Sequence, residues 1–126
     1  MHRSRLGGLV IDCRVDDLQR AARFWSDALG YGIRRSNAPQ DEGYVLLQTA
    51  PEAIHIELQR VGHPSRVHLD IETDDVDGEV ARLEQLGAKR VKKVRDWWVM
   101  EAPTGHRFCV VSAPGESMSR EANAWE

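Results

Sequence analysis

Residues 10–29 read VIDCRVDDLQRAARFWSDAL, and residues 68–86 read HLDIETDDVDGEVARLEQL. Set fifty-eight positions apart, Asp12 falls on Asp70, Asp16 on Asp74 and Asp17 on Asp75. Apolar residues coincide at Ile11/Leu69, Cys13/Ile71 and Leu18/Val76, and a one-residue gap brings Leu29-Gly30 onto Leu86-Gly87. A second match follows at fifty-two positions, with Ala50-Pro51 on Ala102-Pro103 and HIEL (55–58) on RFCV (107–110). Two matched segments in the same order point to a duplicated unit, with repeats at about 6–61 and 66–112.

Each copy opens with apolar residues at every second position: Leu9, Ile11 and Cys13 in the first, Val67, Leu69 and Ile71 in the second. Period two predicts a half-buried strand. The Asp-Asp pairs that follow suit a helix N-terminus, where a carboxylate accepts unpaired backbone N–H groups. Leu18, Ala21, Ala22, Trp25 and Leu29 then form one apolar helical stripe, and Val76, Val80, Leu83 and Leu86 form another. Gly30 and Gly87 stand where a helix ends in a left-handed residue. Strand candidates follow at about 31–35, 43–49 and 53–60, and again at about 88–94, 96–101 and 106–112. Turn signals at Asn37 to Gly43, Ala50-Pro51 and Pro103-Thr104-Gly105 separate them. The order is βαβββ, twice. The expected fold is α+β, with residues 1–112 as a single domain. The tail 113–126 is expected to be mobile unless Trp125 docks on a surface.

At 126 residues the chain is one domain long, and 41% hydrophobic with 29% charged residues is a globular balance. A net charge of −3 lacks the basic surplus of a nucleic-acid binder. No apolar run approaches the ~20 residues of a membrane span. Cys13 and Cys109 do not make a disulfide framework, and the start is a poor signal peptide, so a reduced, cytoplasmic protein is expected. The charges at Arg34-Arg35 and from Lys89 to Arg95 read as solvated strand edges. His2, His63 and His106 read as solvent-facing, and Phe24 and Trp25 as packing or dimer residues.

Alternation sorts the strand residues into two faces. Ile11, Cys13, Ile54, Ile56, Leu58, Leu69, Ile71, Phe108 and Val110 are assigned to the helix-packed face. Val10, Asp12, His55, Glu57, Gln59, Arg66, His68, Asp70, Arg107 and Cys109 are assigned to the other. That second face is either solvated or lines a cleft shared by the two halves. In a cleft, Asp12 and Asp70 are candidates for acid/base work or for binding a cationic group, against a structural role as acceptors of backbone N–H or arginine. Trp98 is placed at the cleft and Trp97 in the core, because the repeat sets Trp98 on Leu46 and Met100 on Gln48.

The motifs LVIDCRVDDLQRAARFWSDALGY, HIELQRV, RVHLDIETDDVDGEVARLEQLGA and WVMEAPTGHRFCVV resemble the vicinal oxygen chelate superfamily, the group of glyoxalase I, bleomycin-resistance proteins and extradiol dioxygenases. The resemblance covers about residues 6–112. It implies two βαβββ modules forming a cupped eight-stranded mixed sheet with helices on its outer face, often assembled as a homodimer. It also implies that metal-binding members draw ligands from the positions of Val10, Glu57, His68 and Cys109. Val10 cannot ligate, and Cys109 replaces the glutamate that in glyoxalase-type enzymes holds metal and moves a proton. The usual Asp-Pro-x-Gly turn has become Ala102-Pro103-Thr104-Gly105. These departures speak against glyoxalase and extradiol dioxygenase chemistry.

The favoured reading is therefore a metal-free small-molecule-binding protein with Asp12, Glu57, His68, Asp70, Trp98 and Cys109 in the cleft. No cofactor is expected. The alternative is a metal-dependent lyase or isomerase holding zinc, nickel or iron on Glu57, His68 and Cys109, a mixed donor set that zinc accepts. The remaining alternative is a protein-association domain. The expected partners are a small molecule and a second copy, with no nucleic acid and no membrane.

Overall fold

The first strand carries further toward the N-terminus than the repeat does. In the computed structural model, which describes residues 1–34, 42–50, 53–113, 118 and 122–126, β1 runs His2–Cys13. It is followed by α1 (Leu18–Leu29), β2 (Gly32–Arg34), β3 (Tyr44–Gln48), β4 (His55–Arg60) and β5 (Arg66–Thr73). Then come α2 (Val76–Gln85), β6 (Lys89–Val94), β7 (Trp97–Glu101), β8 (Arg107–Ser112) and β9 (Asn123–Trp125). The fold is α+β, with two helices and a mixed, open sheet of nine strands among the described residues. The turn expected at Asn37 and the proline at 51 lie outside those residues, as does Arg35.

Two compact units divide the chain: a middle unit, Gly8–Val67, and a terminal unit, Met1–Gly7 with His68–Glu126. The middle unit orders its strands β2-β3-β4-β1, with β1 and β4 parallel and the hairpin partners antiparallel. Its core joins Ile11, Cys13, Leu18, Ala22, Val45, Leu47 and Leu58, with Trp25 and Ile56 packed against it. Full burial of Leu47 and Leu58 contributes about 2 kcal/mol each. The Asp17 carboxylate caps α1 by accepting from the Arg20 N–H at 3.1 Å. Gly30 ends the helix at φ 76°, a left-handed conformation that costs glycine nothing. Leu29, expected on the apolar stripe, is instead 43% exposed in the last turn. Phe24 lies outside the core, its ring edge-on to Trp25.

The terminal unit orders β5-β8-β7-β6, again with a parallel inner pair and antiparallel hairpins. The Asp75 carboxylate caps α2 by accepting from the Gly78 N–H at 3.0 Å. Val80, Leu83, Met100 and Val110 form the core, and Ile71, Val76, Trp98 and Phe108 pack against it. Two residues assigned to this face are corrected. Leu69 is 45% and Leu86 65% exposed. Helix α2 packs over β6, β7 and β8, so the start of β5 lies beyond its cover, and Leu86 already belongs to the C-terminal cap.

Trp125 docks, which is the stated exception to the expectation of a mobile tail. Strand β9 pairs antiparallel with β1, placing His2 opposite Trp125 and Ser4 opposite Asn123. The Trp125 indole N–H donates to Ser4 Oγ at 2.8 Å, and the Arg82 guanidinium stacks over its ring at 3.8 Å. Beneath them lies Glu79, fully buried. Its Oε1 accepts from Arg82 Nε at 2.8 Å and lies 2.9 Å from His2 Nε2, while Oε2 accepts from Arg82 at 2.9 Å. His2 is therefore not solvent-facing as expected, because the buried carboxylate draws its ring inward. Burial pushes the Glu79 carboxyl up, but hydrogen bonds from Arg82, His2 and Ser4 and the charge of Arg82 outweigh it and hold the group at about 2. Among the described residues no helix is long and apolar enough to cross a membrane.

Candidate functional site

Strands β5 and β8 run side by side and in parallel in the terminal unit, so their side chains on one face meet across a single ladder step. Asp70 is the direct partner of Cys109. His68, two residues before Asp70, shares its face. The outcome is a cluster: ligand-type atoms of His68, Asp70 and Cys109 all lie within 4.8 Å of one another. His68 Nε2 is 3.4 Å from Asp70 Oδ1, both side chains are largely shielded, and the Cys109 thiol is buried. Beside the cluster, the Arg107 guanidinium sits 3.3 Å from the Glu101 carboxylate.

This set differs from the one expected in one member. Residues Val10, Glu57, His68 and Cys109 were the four equivalent positions. In the middle unit Val10 is indeed the direct partner of Glu57. In the terminal unit the parallel pairing is offset by two residues, so Asp70 takes the place opposite Cys109 and His68 lies one step along the same face. A shift of two preserves the face, which is why His68, Asp70 and Cys109 meet. The signal was in the sequence, since His68 and Asp70 are two apart on one strand. The exact pairing was not.

Two other candidates stand in the middle unit. Glu57 is half-buried on β4, between Val10 and Leu46. Asp12 is buried at the end of β1, with Oδ2 3.8 Å from Arg66 Nε. Burial, and then the charge of neighbouring Asp12, push the Cys13 thiol up.

Trp98 is a correction. It pairs with Val110, and Met100 pairs with Phe108, so both lie on the core face under α2. Trp97 and Val99 therefore share the face of Cys109, the partner of Val99. The cause is a hairpin one residue shorter than its counterpart. Thirteen positions separate Val45 from its partner Leu58, but twelve separate Trp98 from Val110. The fifty-two-residue offset thus holds for β4 and β8 but slips by one for β3 and β7, and one residue of slip exchanges the faces of a strand.

The chemistry of the trio suits a metal of the zinc kind. Imidazole, carboxylate and thiolate are its ordinary donors, and three of them leave a fourth position open. Donors around tetrahedral zinc stand about 3.3–3.8 Å apart by the bond lengths involved. The His68–Asp70 separation already lies in that interval.

A family model described as a glyoxalase-like domain matches residues 8–111. The chain belongs to that family. The glyoxalase-like domain also has the fold of solved members of the glyoxalase, bleomycin-resistance and dioxygenase superfamily. A member from Vibrio splendidus 12B01 is 15% identical, with 90% of this chain and 100% of that chain covered and a TM-score of 0.58. Methylmalonyl-CoA epimerase from Mycobacterium tuberculosis is 20% identical, with 86% and 88% covered and a TM-score of 0.57. A variant of homoprotocatechuate 2,3-dioxygenase from B. fuscum is 22% identical, with 89% of this chain but 33% of that longer chain covered and a TM-score of 0.58. Among curated proteins no match is found.

Proposed function

We propose that this glyoxalase-like protein binds a small molecule on the β5–β8 face, with His68, Asp70 and Cys109 as its polar contacts. The observation that carries this reading is the approach of the three groups to within 4.8 Å of one another. A carboxylate, an imidazole and a thiol converging from two neighbouring strands hold their positions through the ladder, without loops to order on binding. Asp70 Oδ1 lies 3.4 Å from the imidazole Nε2, so an acceptor and a ring that can donate or accept stand side by side. A ligand with a carbonyl, hydroxyl or carboxyl group fits that donor and acceptor set. The solved neighbours support the reading, since one is a methylmalonyl-CoA epimerase and another a homoprotocatechuate 2,3-dioxygenase, each named for a small molecule.

The donor set and the 3.4 Å separation favour a second reading, in which the same three residues hold a divalent ion and the protein is a lyase or isomerase. Such an ion would polarise a carbonyl or activate a bound water. One experiment addresses both. Protein purified without chelator is analysed for zinc, nickel and iron, and its melting temperature is followed on adding zinc and, separately, a panel of small hydroxy and keto acids. Stoichiometric metal lost in His68→Ala and Cys109→Ser establishes the metal reading. Stabilisation by an acid without metal, abolished by His68→Ala, establishes the metal-free one, because binding to the native state raises the melting temperature. If neither zinc nor any acid produces a shift that depends on His68, the site assignment is wrong.

A further inference from the structure

Strand β6 carries a bulge. Its pairing with β7 shifts register between Arg90 and Lys92. On an unbroken strand, residues 89 and 92 would face opposite sides. Here Lys89 lies across from Glu101 and Lys92 across from Val99, and Glu101 and Val99 share a face. The extra residue, Val91, therefore turns both lysines to the same side. Arg90 keeps to the α2 side, where it pairs with Glu84 and reaches over Trp98. Bulges recur beside functional sites because they re-aim side chains in this way.

The side that receives the lysines is the side of His68, Asp70 and Cys109. Asp70 is paired with Cys109, Cys109 with Val99, and Val99 with Lys92. These four residues form one row across four adjacent strands, with its ends roughly 14 Å apart at about 4.8 Å per strand. The middle of the row is apolar, with half-buried Val99 and, two residues along, half-buried Trp97. Lys89 stands opposite an acid, but Lys92 stands opposite an uncharged side chain. A cation at one end, an apolar span and a polar cluster at the other define a ligand by length and charge.

We propose that Lys92 receives the anionic end of an elongated ligand whose other end is held by His68, Asp70 and Cys109. The ligand class is an acid, carboxylate or phosphate, with an apolar chain or ring long enough to cross Val99. This rests on the binding site assigned above. The test uses two probes: the monohydroxamate of octanedioic acid, with a chelating and hydrogen-bonding head and a carboxylate end, and octanohydroxamic acid, which ends in a methyl group. Binding is measured by calorimetry on the protein as purified and after zinc saturation. The carboxylate probe is expected to bind about two- to five-fold more tightly, the range an exposed ion pair supports. Lys92→Gln removes that preference, Lys92→Arg keeps it, and the fold of each variant is checked by circular dichroism. Cys109→Ser weakens both probes alike. A carboxylate probe binding no better than the methyl probe, or a preference unchanged in Lys92→Gln, overturns the role of Lys92 while the site stands. Failure of both probes to bind wild-type protein overturns the site itself and this inference with it.

Discussion

Replacing Glu79 with glutamine should cost this protein a pH-dependent part of its stability. The wild-type carboxylate is fully buried and accepts both nitrogens of the Arg82 fork, with His2 at 2.9 Å. Its folded pKa of about 2 lies below the ordinary 4.5. A depressed carboxyl contributes stability that is fully present above the unfolded pKa and is lost as pH falls through the folded one. The gap from 4.5 to about 2 corresponds to roughly 3 kcal/mol at about 1.4 kcal/mol per pH unit. Glutamine keeps the shape but not the charge, and leaves the Arg82 guanidinium without its counter-ion. Urea unfolding at pH 7 should therefore show the variant roughly 3 kcal/mol less stable, with an unchanged slope. At pH 3 the difference should shrink to roughly 1 kcal/mol, because the wild-type protein has by then lost most of that contribution. A difference of equal size at both pH values would refute the electrostatic argument and leave only packing. No difference at pH 7 would refute the burial of a charged Glu79.

Trp125→Ala removes the hydrogen bond to Ser4 and the stacking of Arg82, and should cost about 1–2 kcal/mol. Hydrogen exchange at residues 2–4 should accelerate at the same time, since β9 is their ladder partner; unchanged exchange there would show that β9 docks without its tryptophan. Cys13 is buried and its thiol pushed up, so at pH 8 in the native protein iodoacetamide should leave it unmodified and should label it once urea unfolds the chain. Labelling in the native protein at the unfolded rate would show that the middle core opens at β1.

Much of the architecture was legible locally. The Asp-Asp pairs announced both helix starts, and Asp17 and Asp75 carry out the capping. The apolar stripes and alternations located both cores, and failed at Leu29, Val67, Leu69 and Leu86, where an element starts, ends or passes beyond a helix. His68, Asp70 and Cys109 are all legible as one-face residues from strand alternation, and the pairing of Asp70 with Cys109 brings them together. The burial of Glu79 is not legible in the sequence, where it looks like any surface acid in a polar first helix turn. The one available hint was Arg82 three residues later.

What the sequence by itself determined is periodic: which stretches are strands or helices, how helices start, and which residues alternate together. These follow from interactions within a few residues of chain. Only the tertiary structure decided phase: which strand position stands opposite which. A hairpin shorter by one residue put Trp98 in the core and Trp97 on the face of Cys109, and a single extra residue in β6 turned Lys92 to that same face. Side chains alternate with period two, so one residue of slip reverses a whole strand, and that slip is set by backbone hydrogen bonds to a partner that local sequence does not name.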